Sequence, residues 1–115
     1  MLSVNSGVRV HVHDAPTDMR RSFEGLSYLA REVMRKDPLS GHLFVFLNRS
    51  RSSVKVLYWD RSGYAIWYKT LQRGTFTRPS KSELDYTELL CILDGIEIEK
   101  MSRKARFSLE NGCSR

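Results

Sequence analysis

The chain has 115 residues, 41% hydrophobic and 28% charged, with a formal net charge of +6. That is enough for one domain with its own core, and short for an enzyme that closes a substrate between subdomains. No apolar run approaches the roughly 18 residues needed to cross a bilayer, and the opening MLSVNSGVRV lacks a signal peptide's charged-then-apolar layout, so a cytoplasmic protein with no membrane partner is expected.

In chain order, GVRVHVH (7–13) alternates Val8, Val10 and Val12 with Arg9, His11 and His13 and predicts a half-buried strand. TDMRRSFEGLSYLAREVMRKDP (17–38) carries Met19, Phe23, Leu26, Ala30 and Val33 as an apolar stripe, predicting one long helix with Thr17 or Asp18 as its cap and Pro38 as its stop. HLFVFLNR, SVKVLYWD and GYAIWYKTL follow as three strands. They are separated by turns so short that the neighbours must run antiparallel. GTFTR (74–78) could extend the sheet before Pro79. DYTELLCILDG (85–95) predicts a short C-terminal helix, with Asp85 and Glu88 spaced for a capping box and Gly95 as its end. The expected fold is α+β: an antiparallel meander of about four to five strands packed on one long helix, forming a single domain over 1–99, with a basic, loosely ordered tail over 100–115.

Charge is segmented along the chain. Residues 49–81 hold eight basic residues against Asp60 alone, a net of +7; residues 83–99 hold six acids and no base, a net of −6. Such asymmetry suits a polyanion at one region and a different partner at another, although basic faces are often only solvated surface. Cys91 and Cys113 form no disulfide framework, and Cys91 reads as a small apolar group.

His11, His13 and Asp14 could begin a metal site, but no close Cys or His pair completes four ligands; histidines on the surface of an edge strand are the plainer reading, and His42 stands alone. Asp18, Glu24 and Asp60 are the acids available for metal-dependent phosphoryl chemistry, yet Asp18 reads as a cap and Asp60 as a turn residue. No nucleophile motif or phosphate loop is present, so no enzyme activity and no cofactor are expected. The pairing of bases with aromatics is more informative, because cations bind phosphates and rings stack on exposed bases. Lys55 and Lys69 interleave with Trp59 and Trp67, while Arg49, Arg51, Arg61 and Arg73 lie in or beside turns.

Gly7-Val8-Arg9-Val10, Thr17-Asp18-Met19-Arg20, Phe23-Glu24-Gly25-Leu26, Asp37-Pro38-Leu39-Ser40-Gly41, Leu43-Phe44-Val45-Phe46, Lys55-Val56-Leu57, Trp59-Asp60 and Gly74-Thr75-Phe76 follow one another in order. Over residues 4–96 the chain closely resembles TnpB, the accessory protein encoded by the second reading frame of family 66 bacterial insertion sequences. It departs at Arg21, Thr70, Gln72 and Arg78, where Lys, a second base, Glu and Trp are usual. The resemblance implies a part in transposition beside a separate transposase, and no known enzymatic activity. Two functions are then expected. One is non-specific DNA binding through Arg49, Arg51, Lys55, Arg61, Lys69 and Arg73. The alternative is an adaptor that docks on the transposase or another element-encoded protein through the acidic helix and surplus aromatics, with or without a homodimer.

Overall fold

The computed structural model describes residues 7–95. Along that span run β1 (Arg9–Val12), α1 (Phe23–Tyr28) with a π-helical continuation (Leu29–Val33), β2 (Leu43–Leu47), β3 (Ser53–Asp60), β4 (Gly63–Thr70), β5 (Glu83–Asp85) and α2 (Tyr86–Leu93). The predicted tail lies outside the described residues. No helix among those described is long and apolar enough to cross a membrane.

The five strands form one sheet in the order β4-β3-β2-β1-β5. The expected meander is present in β2, β3 and β4, which pair antiparallel. The rest of the sheet corrects it. β1 pairs parallel with β2, Val10 opposite Leu43, and β5 pairs antiparallel with the other side of β1. A parallel pair needs a long crossover, and the segment carrying α1 supplies it. β2, LFVFL, is buried at all five positions, as a continuous apolar strand covered on both faces should be. GTFTR is not a strand: Phe76 is fully buried in the core and the backbone around it is irregular. The fifth strand is Glu83–Asp85 instead.

The helix is shorter than its apolar stripe predicts. Asp18 closes a local turn, its carboxylate accepting from the Arg20 N–H at 2.9 Å and its carbonyl from the Arg21 N–H at 3.0 Å. The helix therefore begins after Ser22, which makes no side-chain cap. Its last turn widens to a five-residue step, the Met34 N–H bonding the Leu29 carbonyl at 2.8 Å. Arg35, at φ 60°, then reverses the chain before Pro38 is reached. Leu26 and Ala30 are fully buried, whereas Phe23 and Val33 at the ends of the stripe are 46% and 53% exposed.

Because side chains alternate across a strand, each strand feeds two cores. On one face Phe44, Phe46 and Leu57 pack on Leu26 and Ala30. On the other, Val45, Val56, Phe76 and Leu84 pack with Leu89, Ile92 and Leu93 of α2. The sheet is thus covered by a helix on each side. α2 carries the expected capping box: the Asp85 carboxylate accepts from the Glu88 N–H at 2.8 Å, and Glu88 accepts from the Asp85 N–H at 3.0 Å. Gly95, at φ 85°, follows its end.

Candidate nucleic-acid interface

The β2–β3 turn, Asn48 to Ser52, is organised by Asn48. Its side-chain oxygen accepts from the Ser53 N–H at 3.0 Å, its amide nitrogen donates to Ser52 Oγ at 3.2 Å, and its carbonyl accepts from the Arg51 N–H at 3.0 Å. Arg49 is exposed at the tip. Arg51 holds φ 59°, a left-handed conformation normally left to Gly or Asn. The loop after β4 is tied to this turn at two points: the Leu71 N–H donates to the Ser52 carbonyl at 2.8 Å and the Phe76 N–H to the Arg51 carbonyl at 2.7 Å. Between those anchors lies Arg73, exposed. Pairing of Val54 with Lys69 and of Ser53 with Thr70 brings Lys69 to the same end.

Four of the six sequence-predicted residues, Arg49, Arg51, Lys69 and Arg73, therefore gather at one end of the sheet. Arg61 does not join them. It occupies the two-residue β3–β4 turn at φ 56°, and β3 separates it from Arg51 by roughly 25 Å at about 3.3 Å per residue. That is well beyond the Debye length of about 8 Å at physiological salt. Lys55 is only 8% exposed and points to the α1 face. Its ammonium donates to the Arg21 carbonyl at 2.7 Å and sits 4.8 Å above the Tyr68 ring. It is a core group that spends its charge internally. The register also puts Lys55 and Trp59 on the face opposite Lys69 and Trp67, so the expected interleaving of bases with stacking rings is absent. Trp67 packs on the α2-side core, and Trp59 lies edge-on to Tyr64 at 5.1 Å.

Ion pairing occupies several bases elsewhere on the surface, while Arg21, Arg35, Lys36 and Arg78 share with this end the lack of an acidic partner among the described residues. Arg9, Arg20, Arg31 and Lys81 are held by Glu83, Asp18, Glu32 and Glu88 at 2.6 to 3.0 Å. Among the described residues, Arg49, Arg51 and Arg73 have no acidic partner. Lys69 makes one long contact, 3.4 Å to the Leu93 carbonyl. Beside Arg49 a shallow groove runs between Pro16–Met19 and Asn48–Ser50, and at its edge the Thr17 hydroxyl is buried without a partner.

The histidines differ from the surface positions that strand alternation predicts for them. β1 is interior, so His11 and His13 are buried, at 8% and 6% exposure, beneath the end of α1. Their rings rest on Phe44 and Phe46, with centroids 5.3 and 5.7 Å away. Burial lowers the pKa of both, assisted by Lys36 at His11 and by Arg78 and Arg21 at His13, and opposed by Glu83 and Asp14 respectively. His42 Nδ1 accepts from the Arg9 N–H at 2.9 Å. Asp18, Glu24 and Asp60 are dispersed: Asp18 is clasped by Arg20 at 2.7 Å, Glu24 is on α1, and Asp60 is at the far turn. Asn48 and Phe76, which hold the basic end in shape, were missed, since neither carries charge; only the polar turn chemistry around Asn48 marked it.

The family model described as IS66 Orf2-like protein matches residues 8–103. A protein of Sinorhizobium fredii printed as "Uncharacterized protein y4hO" is 38% identical over 84% of this chain and 88% of its own length. A second from that organism, "Uncharacterized protein y4jC", is 29% identical over 90% of this chain and 92% of its own. No solved structure matches the chain.

Proposed function

The chain belongs to the IS66 Orf2-like family, accessory proteins of an insertion sequence, and from that premise we propose that it grips DNA without strong sequence choice during transposition, through Arg49, Arg51, Lys69 and Arg73. The observation that supports the reading is the gathering, on one hydrogen-bonded turn and its tethered loop, of three arginines without acidic partners among the described residues. Unpaired guanidinium groups bind phosphate oxygens bidentately and displace condensed counterions. No enzymatic activity forms part of this proposal.

The test is binding of purified protein to an insertion-end duplex and to an unrelated duplex across salt. With about four phosphate contacts, affinity for both falls roughly a hundredfold between 50 and 200 mM salt. Salt-independent binding, or strong preference for the end sequence with no salt slope, would sink the reading.

A second reading, docking on the transposase, draws on the exposed Phe23, Tyr28 and Val33 of the α1 segment, at 46%, 52% and 53% exposure. Glu88, by contrast, is occupied by Lys81 and its own cap, which weakens the acidic helix as a docking surface. A pull-down in which Phe23→Ser with Tyr28→Ser loses the transposase while DNA binding persists would favour the adaptor.

A further inference from the structure

Between β1, the end of the π-helical turn and the start of β5 lies a cavity of about 250 Å³. By volume it would hold about eight waters, and it falls below the roughly 300 Å³ at which pockets for drug-sized ligands begin. Its occupant is therefore about the size of one ring system. His11 and His13 form the floor, each imidazole braced from behind by a phenylalanine ring, and His11 further by His42, edge-on at 5.8 Å. Met34 supplies a polarisable apolar wall, and Ser82, Glu83 and Lys36 complete the rim. Wide helical turns of the kind above this cavity occur frequently at functional sites.

The polar groups restrict the chemistry. Glu83 is paired with Arg9 at 2.7 Å and stands 3.9 Å from His11 Nδ1; with Asp14 set against Lys36 the lining carries no net charge, which suits an uncharged ligand. Among the described residues no group of three or more His, Cys, Asp or Glu is placed to hold a metal ion. Neutral imidazoles both donate and accept, and the carboxylates accept. A flat, uncharged heterocycle with ring nitrogens and exocyclic amino or carbonyl groups fits this lining.

We propose that the cavity receives a single unpaired nucleobase of the DNA strand whose backbone is held at the arginine end of the sheet. The placement is consistent with one strand serving both: the chain leaving His13 runs alongside β2 to its far end, the His13 and Thr17 N–H groups bonding the Val45 and Leu47 carbonyls at 3.0 and 2.8 Å. β2 then leads directly into the turn that carries Arg49. Bases handled outside the stack are read by stacking on aromatic faces and by hydrogen bonds to their edges.

The inference rests on the DNA-binding reading, but free nucleosides, which lack phosphate, test the cavity by itself. In a titration of the full chain with adenosine, cytidine, guanosine and thymidine, the ring-nitrogen NMR signals of His11 and His13 shift saturably with at least one nucleoside. Ser82→Trp, a change at an exposed rim position, abolishes the shift without unfolding the protein. A duplex with a single-nucleotide bulge binds at least about tenfold tighter than the paired duplex, because part of the cost of unpairing and unstacking the base is already met, and Ser82→Trp erases that preference. No histidine shift from any nucleoside, or equal shifts in Ser82→Trp, overturns the proposal. Duplex binding that survives such a result leaves the arginine site standing, whereas nucleoside binding without salt-sensitive duplex binding overturns the arginine site, and with it the assignment of the base to a DNA strand held there.

Discussion

Arg51 and Arg61 both occupy left-handed backbone at turns, where a Cβ costs about 1–2 kcal/mol and glycine is the usual resident. Strain of that kind persists where the surrounding structure imposes it, so by itself it does not separate Arg51 from Arg61. Arg51→Gly and Arg61→Gly are each expected to stabilise the fold by about 0.5–1 kcal/mol in urea denaturation, after the greater chain entropy of glycine is subtracted. Only Arg51→Gly should also weaken DNA binding. The buried histidines make a second prediction, and its sign follows from linkage. The folded pKa values of His11 and His13 lie below the ordinary 6.5, so the unfolded chain takes up more protons as pH falls below 6.5. Stability is full above that pH and is lost as pH drops through the lowered folded values. Asp18 and Glu83 do not share this window: Arg20 holds Asp18 at about 2, and Arg9 lowers Glu83 from 4.5. The urea midpoint should fall between pH 7.5 and 5, and in His11→Phe with His13→Phe it should stay nearly level. Neither histidine was legible as buried, because alternation in GVRVHVH describes a strand with one wet face. It cannot report that a helix from the crossover covers the other.

At the scale of elements, what the sequence makes legible is what local chemistry decides. Turn residues and short connections predict β2, β3 and β4, and Asp85, Glu88 and Gly95 predict α2 with its cap. Parallel pairing of β1 with β2 is a decision between segments some 30 residues apart, and nothing in either segment alone encodes it. β5 has three residues, too few for a periodic signal. Asp18 shows the opposite error: a good capping residue in a good position is used instead to close a turn with Arg20. The cap that did form can be weighed. Asp85→Ala removes the acceptor for the Glu88 N–H and should cost about 1 kcal/mol in thermal or urea unfolding. Adding Glu88→Ala should cost less than the sum of the two single changes, since the two halves of the box depend on each other. DNA affinity should hardly move in either variant, because the capping box is at the N-terminus of α2 and it is the opposite end, at Leu93, that reaches Lys69.

Across the whole molecule the run of positive charge from residue 49 to 81 is plain in the sequence, but its division in space is not. A hairpin folds that run back on itself, so Arg73 returns to Arg51 while Arg61 is carried to the opposite end of the sheet, and alternation sends Lys55 inward. Three basic residues of one stretch thereby meet three different fates. The salt slope of DNA binding separates them. Arg73→Ala should reduce it by about one phosphate contact, near 0.9 in the slope for a B-form duplex. Arg61→Ala should leave it unchanged, being more than a Debye length from the other arginines. Lys55→Met keeps the bulk of the stem but strands the Arg21 carbonyl, so it should lower stability by about 1–3 kcal/mol while the slope stays as in the parent. If Arg61→Ala lowers the slope as much as Arg73→Ala does, the strand of DNA lies along the sheet from end to end, and the interface is the long edge by β4 in place of the turn.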